Sequence, residues 1–223
     1  MDQNEKKESA AKKALELIEN SLNEESVLGI GTGSTTNLFI EKLLELEIKI
    51  KGVVCSSLAS EDQFIGSSYD ILSLNEVYGI DFYVDGADEF NDRLELIKGG
   101  GAALTREKIL AHSSNNFFCI VDDSKKVEKL GKFPLPIEVI EIARSAISRE
   151  ILKMGGKPVF RQGIITDNGH QIIDVHNLNI EIPYDLEGFL NNIPGVVENG
   201  IFAKRKADKI ILSTNDGIEI LEQ

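Results

Sequence analysis

Short apolar runs alternate with segments of helical spacing along the first part of the chain. Four runs have the length and composition of buried strands, and each ends in a loop rich in glycine or polar residues. These runs are residues 26–30, 52–55, 80–84 and 117–121. A shorter strand is predicted at 71–74, and helices are predicted at 6–20, at 35–46 and from about residue 104. The alternation predicts an α/β fold with an open, mostly parallel sheet covered on both faces.

The pattern changes at Phe133-Pro134-Leu135-Pro136, where two prolines interrupt the alternation. Beyond this point shorter strand-like runs alternate with helical stretches, which predicts a second, smaller α/β domain over 132–204. The runs at 209–213 and 218–221 are predicted to return to the first domain. The expected organisation is therefore a main domain formed by 1–131 and 205–223, with the small domain inserted between them.

Composition and charge narrow the class of partner. The chain has 223 residues, and its formal net charge of -13 argues against nucleic acid or an anionic membrane as partner. No apolar run approaches the roughly 20 residues that span a bilayer, and the polar start of the chain does not have the pattern of a signal peptide.

Two lone cysteines, Cys55 and Cys119, each lie in an apolar run and form no CxxC pattern. We expect buried structural thiols and a reducing cytoplasm, with a disulfide or a reactive thiol as the alternatives.

The candidate chemistry lies in loops that follow the predicted strands. In an open α/β sheet, ligands bind outside the carboxyl ends of the strands. Four polar or glycine-rich loops occupy such positions and are expected to converge on one crevice. They are residues 31–35, 56–60, 85–89 and 122–125.

The first of these loops has the sequence Gly31-Thr32-Gly33-Ser34-Thr35. A dinucleotide fingerprint beginning at Gly29 would need glycine in place of Ser34, and an acid at the end of the second strand, where this chain has Cys55 and Ser56. A Walker A loop would need Gly-Lys, which this loop lacks. NAD binding is therefore disfavoured. A glycine turn that leads into a helix N-terminus suits a single phosphate or oxyanion. The alternative is a tight βα turn capped by Ser34.

Two other loops carry charge. Asp85 and Asp88 flank Gly86-Ala87 after a strand, where they could bind a metal, shuttle protons, hydrogen-bond sugar hydroxyls or form an ordinary Asx turn. A metal site has little support, because no histidine falls in a pattern with ligand spacing. Lys125 follows another strand and is a candidate for the same site. The alternative is that Lys125 is an ordinary solvated surface lysine.

The segment from Lys98 to Lys108 carries the strongest signal. Lys98 precedes the triplet Gly99-Gly100-Gly101, which runs into a predicted helix. Glycines let backbone amides approach a ligand, and a helix N-terminus favours negative charge. Helical spacing places Glu107 on the apolar face, so a buried carboxylate beside a lysine is expected. A buried carboxylate beside a lysine is an arrangement typical of a general base.

Together these residues make the chain resemble type A ribose-5-phosphate isomerases over nearly its whole length. The stretches that carry the resemblance are Gly31 to Thr35, Asp85 to Glu89, Lys98 to Lys108, Lys125, Phe133 to Val139 and Pro194 to Gly200. The resemblance implies a Rossmann-like main domain and interconversion of ribose 5-phosphate and ribulose 5-phosphate without metal or organic cofactor. It also implies a cytoplasmic enzyme of the pentose phosphate pathway. The enzyme is expected to be a homodimer or larger homo-oligomer, and the small domain is expected to contribute to its subunit contacts.

The resemblance also implies a role for each residue. Glu107 falls on the proton acceptor, and Asp85 and Lys98 are the other catalytic residues, for ring opening and for stabilising an enediolate oxygen. The substrate-binding residues are Thr32, Gly33, Ser34, Thr35, Asp85, Gly86, Ala87, Asp88, Lys98, Gly99, Gly100, Gly101 and Lys125. An N-terminal lysine near the phosphate could be Lys6 or Lys7, and neither is assigned.

Three other functions stay open at this point. An aminosugar-phosphate isomerase or deaminase and a CoA-transferase-like enzyme would use related loops. A non-catalytic sugar-phosphate sensor would bind without turnover, and its marker would be loss of Glu107 or Lys98, both of which are present.

Overall fold

The structure is a computed structural model that describes residues 1–222. The helices are α1 (Gln3–Ile18), α2 (Ser34–Leu46), α3 (Leu58–Glu61), α4 (Leu104–His112), α5 (Arg144–Lys153) and α6 (Pro183–Asn191). The strands are β1 (Val27–Ile30), β2 (Gly52–Cys55), β3 (Ile80–Asp85), β4 (Glu89–Phe90), β5 (Leu96–Ile97), β6 (Ser114–Asp122), β7 (Leu135–Val139), β8 (Lys157–Phe160), β9 (Gln171–His176), β10 (Val196–Asn199), β11 (Ile201–Phe202), β12 (Lys209–Thr214) and β13 (Gly217–Glu222). Among these described residues, no helix is both long and apolar enough to cross a membrane.

The chain divides into two compact units. The first unit contains Met1–Gly86, Ile109–Ser124 and the segment from Ala207 onward, and the second contains Ala87–Lys108 and Lys125–Lys206. The last strands belong to the first unit. The segment Ala87–Lys108 groups with the second unit rather than with the predicted main domain, because β4, β5 and β11 form one small antiparallel sheet.

The first unit is built on a six-stranded sheet in the order β13-β12-β6-β3-β1-β2. All neighbouring pairs are parallel except β12 with β13. The five parallel strands of this sheet, β1, β2, β3, β6 and β12, therefore end at one edge, which places the loops after β1, β2, β3 and β6 at that edge. The mostly parallel α/β architecture predicted from the sequence is confirmed.

Burial explains where the elements of this unit form. Val27–Ile30 and Gly52–Cys55 are buried throughout, as expected for interior strands covered on both faces. Helix α1 begins at Gln3 because Asp2 and Glu5 form a reciprocal capping box. The helix buries an alanine-rich stripe in the core of the unit.

The strand predicted at 71–74 is wrong. Ile71 makes one isolated bridge to Val53, and the chain then turns into the short helix Leu74–Glu76. Ser73 and Glu76 form a capping box there, and side chains that bond the local backbone compete with strand pairing.

The second unit contains an antiparallel sheet in the order β10-β7-β9-β8 and the three-stranded sheet β11-β5-β4. Its core consists of aliphatic side chains from both sheets and from α5 and α6, among them Ile97, Ile137, Ile151, Ile173 and Leu190. The predicted small α/β unit is therefore present, with Ile97 as part of its core.

Both cysteines are buried free thiols, as predicted. Burial raises the pKa of the Cys55 thiol to about 12, with a smaller contribution from the Glu61 carboxylate. Cys55 is therefore a neutral thiol at physiological pH, which fits a structural role.

Candidate active site

Hydroxyl groups connect the first two loops at the carboxyl edge of the parallel sheet. Thr32 Oγ1 lies 2.7 Å from Ser56 Oγ and 2.8 Å from Ser57 Oγ. Ser60 Oγ donates to the Gly31 carbonyl oxygen at 2.6 Å. The loop after β1 is thus held by side chains from the loop after β2, and the predicted meeting of these two loops is confirmed.

Asp85 connects the third loop to the first. Its Oδ1 accepts hydrogen bonds from the amides of Thr32 at 3.1 Å and Gly86 at 2.7 Å, and from the Thr36 hydroxyl at 3.2 Å. Its Oδ2 accepts a short hydrogen bond from the Tyr83 hydroxyl. The carboxylate is fully buried, so these donors replace the water that it loses.

Gly31 is required for this arrangement. A Cβ at position 31 would lie 2.0 Å from the carboxyl carbon of Asp85, far inside van der Waals contact. The close approach of backbone and carboxylate is therefore possible only with glycine.

The glycine turn leads into α2 without a side-chain cap. Gly33 is the N-cap residue, with φ of 126°, and Ser34 is the first residue of the helix. The alternative that Ser34 caps the helix is therefore wrong. The Ser34 hydroxyl accepts a hydrogen bond from Lys7 Nζ at 3.0 Å. Thr35, the next helical residue, is half-buried. This end of α2 thus has two hydroxyls, the helix N-terminus and a lysine, which suits a phosphate.

Lys6 and Lys7 have different partners. Lys6 is buried and forms an ion pair with Asp123 at 2.8 Å, in the turn after β6. Lys7, by contrast, contacts Ser34. Of the two lysines, Lys7 is therefore the one that contacts the loop after β1.

Within the second unit, Lys98 and Glu107 form a buried ion pair. Lys98 Nζ lies 3.4 Å from Glu107 Oε2, and each side chain is only 3% exposed. Lys98 follows β5, and its amide donates to the Gly200 carbonyl at 2.9 Å. The ammonium also lies 5.7 Å from the centre of the Phe202 ring. A carboxylate and an ammonium are thus fixed at short distance out of bulk water.

Glu107 is buried because of its position on α4. Leu104 and Ala111, on the same face of the helix, are fully buried. The sequence prediction that Glu107 points inward with the apolar residues is therefore confirmed, and its fourth position in α4 places it close to the glycine triplet along the chain.

The glycine triplet forms a tight turn before α4. Gly99 has φ of 108°, and its carbonyl accepts the Ala102 amide at 3.0 Å. The Gly100 amide donates to Asp88 Oδ2 at 2.8 Å. The structure thus brings Asp88 to the triplet, while half-buried Ala87 precedes it in the chain. Gly100 and Gly101 are exposed, which leaves this backbone accessible to a ligand.

Lys125 lies at the end of the short helix Asp123–Lys125 and is half-buried.

Of the histidines, His170 Nδ1 lies 2.9 Å from Glu138 Oε1. In the described part of the chain, no three His, Cys, Asp or Glu side chains are grouped so that they could hold a metal ion.

Sequence reasoning missed two polar contacts of these loops. Tyr83 precedes Asp85 by two residues on β3, so the same-face rule for strands was an available signal. Arg161, which donates to the carbonyls of Gly99 and Gly100 at 3.1 Å, lies more than sixty positions away in sequence. No local pattern indicates such a contact.

Comparison with models of known protein families gives a match over most of the chain. Residues 52–217 match the family model of ribose 5-phosphate isomerase A, also called phosphoriboisomerase A. This match spans more than half of the chain and includes Asp85, Lys98, Glu107 and Lys125.

Three solved structures are similar over their full length. Ribose 5-phosphate isomerase A from Neisseria gonorrhoeae is 49% identical, with a TM-score of 0.94 and coverage of 99% of this chain and 97% of that chain. The protein from Methanocaldococcus jannaschii is 41% identical, with a TM-score of 0.90 and coverage of 98% and 99%. A D-ribose-5-phosphate isomerase in complex with phospho-erythronic acid is 44% identical, with a TM-score of 0.93 and complete coverage of both chains, 100% each. The chain therefore belongs to the ribose 5-phosphate isomerase A family.

Proposed function

We propose that this chain interconverts ribose 5-phosphate and ribulose 5-phosphate, with Glu107 as the residue that moves the proton. The observation that carries the proposal is the buried Lys98–Glu107 pair at 3.4 Å in a chain of this family. A related enzyme that binds phospho-erythronic acid supports a sugar phosphate as the ligand.

The chemistry follows from these two groups. Glu107 takes the proton from C2 of the aldehyde form, and the electrons of that C–H bond form the enediolate. The same carboxyl then returns the proton to C1, while the proton of the O2 hydroxyl passes to O1, so the reaction is balanced without an oxidant. Negative charge develops on the substrate oxygen, where Lys98 and the Gly101 amide stabilise it.

The remaining predicted residues have binding roles in this proposal. Thr32, Gly33, Ser34 and Thr35 hold the phosphate, together with Lys7, which already contacts Ser34 at 3.0 Å. Gly86, Ala87 and Asp88 contact the sugar hydroxyls, and Lys125 contributes positive charge. Asp85 exchanges protons with the ring oxygen and the anomeric hydroxyl, so that the furanose opens.

Two measurements on the same variants test the catalytic roles. Ribose 5-phosphate must open its ring before isomerisation, whereas ribulose 5-phosphate is acyclic and exchanges its C1 proton with solvent through the enediolate alone. Glu107→Gln should slow both isomerisation and C1 exchange by about 10²–10⁴. Near wild-type turnover of a folded Glu107→Gln variant would overturn the assignment.

Asp85→Asn tests the ring-opening role with the same measurements. Asparagine keeps the shape of the side chain and an oxygen for the Thr32 and Gly86 amides. We expect isomerisation of ribose 5-phosphate to slow while C1 exchange in ribulose 5-phosphate persists. Equal loss of both reactions would instead make Asp85 a residue that only organises the loop. Addition of EDTA should change neither reaction.

We also propose a homodimer or larger homo-oligomer in the cytoplasm, acting in the pentose phosphate pathway. Large apolar side chains are exposed within the predicted small domain, including Ile142 at 92% and Ile165 at 61%, and a subunit interface would remove them from water. Two free thiols suit a reducing compartment. Light scattering of the purified chain tests the oligomeric state, and a monomeric mass would contradict it.

A further inference from the structure

Arg161 contacts the glycine triplet through two backbone carbonyls. Its Nη1 donates to the carbonyl oxygens of Gly99 and Gly100, each at 3.1 Å. The same guanidinium is held by Asp174, with Nε to Oδ2 at 2.8 Å and Nη2 to Oδ1 at 2.5 Å. Such a bidentate pair fixes the plane of the guanidinium, so the donor that faces the triplet has a defined direction.

The hairpin formed by β8 and β9 holds this pair in place. Arg161 directly follows β8, and its amide donates to the Ile172 carbonyl at 2.9 Å. Asp174 lies in β9, opposite Val159. Regular strand pairing therefore positions both members of the pair.

The carbonyl contacts determine where the amides point. Peptide bonds in the described residues are trans, and in a trans peptide the C=O and N–H groups point in opposite directions. Because Arg161 binds the carbonyls of Gly99 and Gly100, the amides of Gly100 and Gly101 point away from it. The Gly100 amide reaches Asp88 Oδ2 at 2.8 Å, as this geometry requires.

The turn needs such external support. Gly99 has φ of 108° and Ala102 has φ of 62°, and the second value costs a non-glycine residue roughly 1–2 kcal/mol. Consecutive glycines also lose more conformational entropy on ordering than other residues. Conformations of this kind persist where the surrounding structure determines them, and Arg161 supplies two of the required contacts.

We propose that Arg161, held by Asp174, is a positioning residue that fixes the peptide planes of the triplet, so that the Gly100 amide is held by Asp88 and the Gly101 amide is presented to the charged intermediate. Its cation also draws electron density from the two carbonyls, which strengthens the amides as donors. Arg161 acts through the backbone and needs no contact with substrate. This inference rests on the proposed isomerase function.

The test compares Arg161→Met with Arg144→Met. Arg144 is a matched control in the same unit, since its guanidinium stacks on the Phe160 ring at 4.2 Å and bonds Gln171. Removing one direct donor to an oxyanion costs about 10²–10³ in rate. We expect about a tenfold or greater fall in kcat for Arg161→Met, with KM for ribose 5-phosphate changed much less and the control close to wild type.

A second readout separates positioning from general damage. Phospho-erythronic acid bears a carboxylate where charge develops in the enediolate, so Arg161→Met should weaken its binding by about the same factor as kcat/KM. Arg161→Lys, which keeps the charge and loses the planar fork, should recover only part of the rate. Unchanged kcat and unchanged inhibitor affinity in folded Arg161→Met would overturn the inference.

A variant that does not fold and an inactive wild-type enzyme each have a defined meaning. If Arg161→Met does not fold, Asp174→Asn takes its place, and wild-type kcat and inhibitor affinity in that variant overturn the inference. If the wild-type enzyme forms no ribulose 5-phosphate, the proposed function fails. An active wild type with an equally active Arg161→Met variant contradicts the Arg161 inference alone.

Discussion

At the scale of single residues, Tyr83 controls the environment of Asp85. The two residues alternate with Val84 on β3, so their side chains lie on the same face of the sheet. The Tyr83 ring packs against Phe117 with 5.0 Å between centroids, which fixes where its hydroxyl points. The hydroxyl then donates to Asp85 Oδ2.

Tyr83→Phe removes this donor and keeps the ring. A hydrogen bond to a charged group contributes about 1.5–3 kcal/mol, so we expect kcat/KM for ribose 5-phosphate to fall about tenfold or more. C1 exchange in ribulose 5-phosphate should change little, because it requires no ring opening.

Tyr69→Phe is the matched control for this prediction. Tyr69 is also buried in the first unit, and its hydroxyl donates to the Leu43 carbonyl at 3.1 Å. The control should lose about 1 kcal/mol of stability and keep both rates. If Tyr83→Phe slowed both reactions equally, the link between Tyr83 and ring opening would be contradicted.

At the scale of elements, the loop after β1 depends on how closely it approaches β3. Gly31→Ala would place a methyl group 2.0 Å from the Asp85 carboxyl carbon. Overpacking of this kind costs about 1–3 kcal/mol, and relief requires movement of the carboxylate or the loop. We expect kcat/KM to fall by at least about tenfold, together with a lower melting temperature.

Gly79→Ala controls for the loss of a glycine. Its new Cβ would meet only the Ser113 carbonyl oxygen, at 3.5 Å, which is ordinary contact. This variant should retain wild-type activity and stability. A fully active Gly31→Ala variant would show that the close approach to Asp85 is not needed for the reaction.

Much of the element level could be predicted from sequence. The interior strands appear as apolar runs, and the loops at their ends follow from the parallel arrangement. The segment at 71–74 has the same apolar content but forms a single bridge, because the Ser73–Glu76 cap favours a helical turn. Whether a short apolar run pairs depends on its neighbours and on such local competition.

At the scale of the whole molecule, the last strands complete the first unit. Strand β12 lies between β6 and β13, and Ile210, Ile211 and Leu212 are buried. A chain that ends at residue 206 lacks both strands and exposes the edge of β6. We expect it to lose cooperative unfolding, as measured by circular dichroism during thermal denaturation.

A chain that ends at Thr214 is the comparison. It loses only β13, which is an edge strand whose residues are mostly partly or fully exposed. It should unfold cooperatively at a lower temperature than the full chain. Cooperative unfolding of the chain that ends at 206 would contradict the role assigned to β12.

The sequence by itself determined the α/β class, the loops at the strand ends and the inward position of Glu107. These features depend on local periodicity and on chain order, which a sequence displays directly. Tertiary structure alone decided that Ala87–Lys108 belongs with the second unit, that Lys7 rather than Lys6 contacts Ser34, and that Arg161 supports the glycine triplet. The physical reason is that these contacts join residues distant in sequence, and their geometry is set by strand pairing and packing rather than by any local pattern.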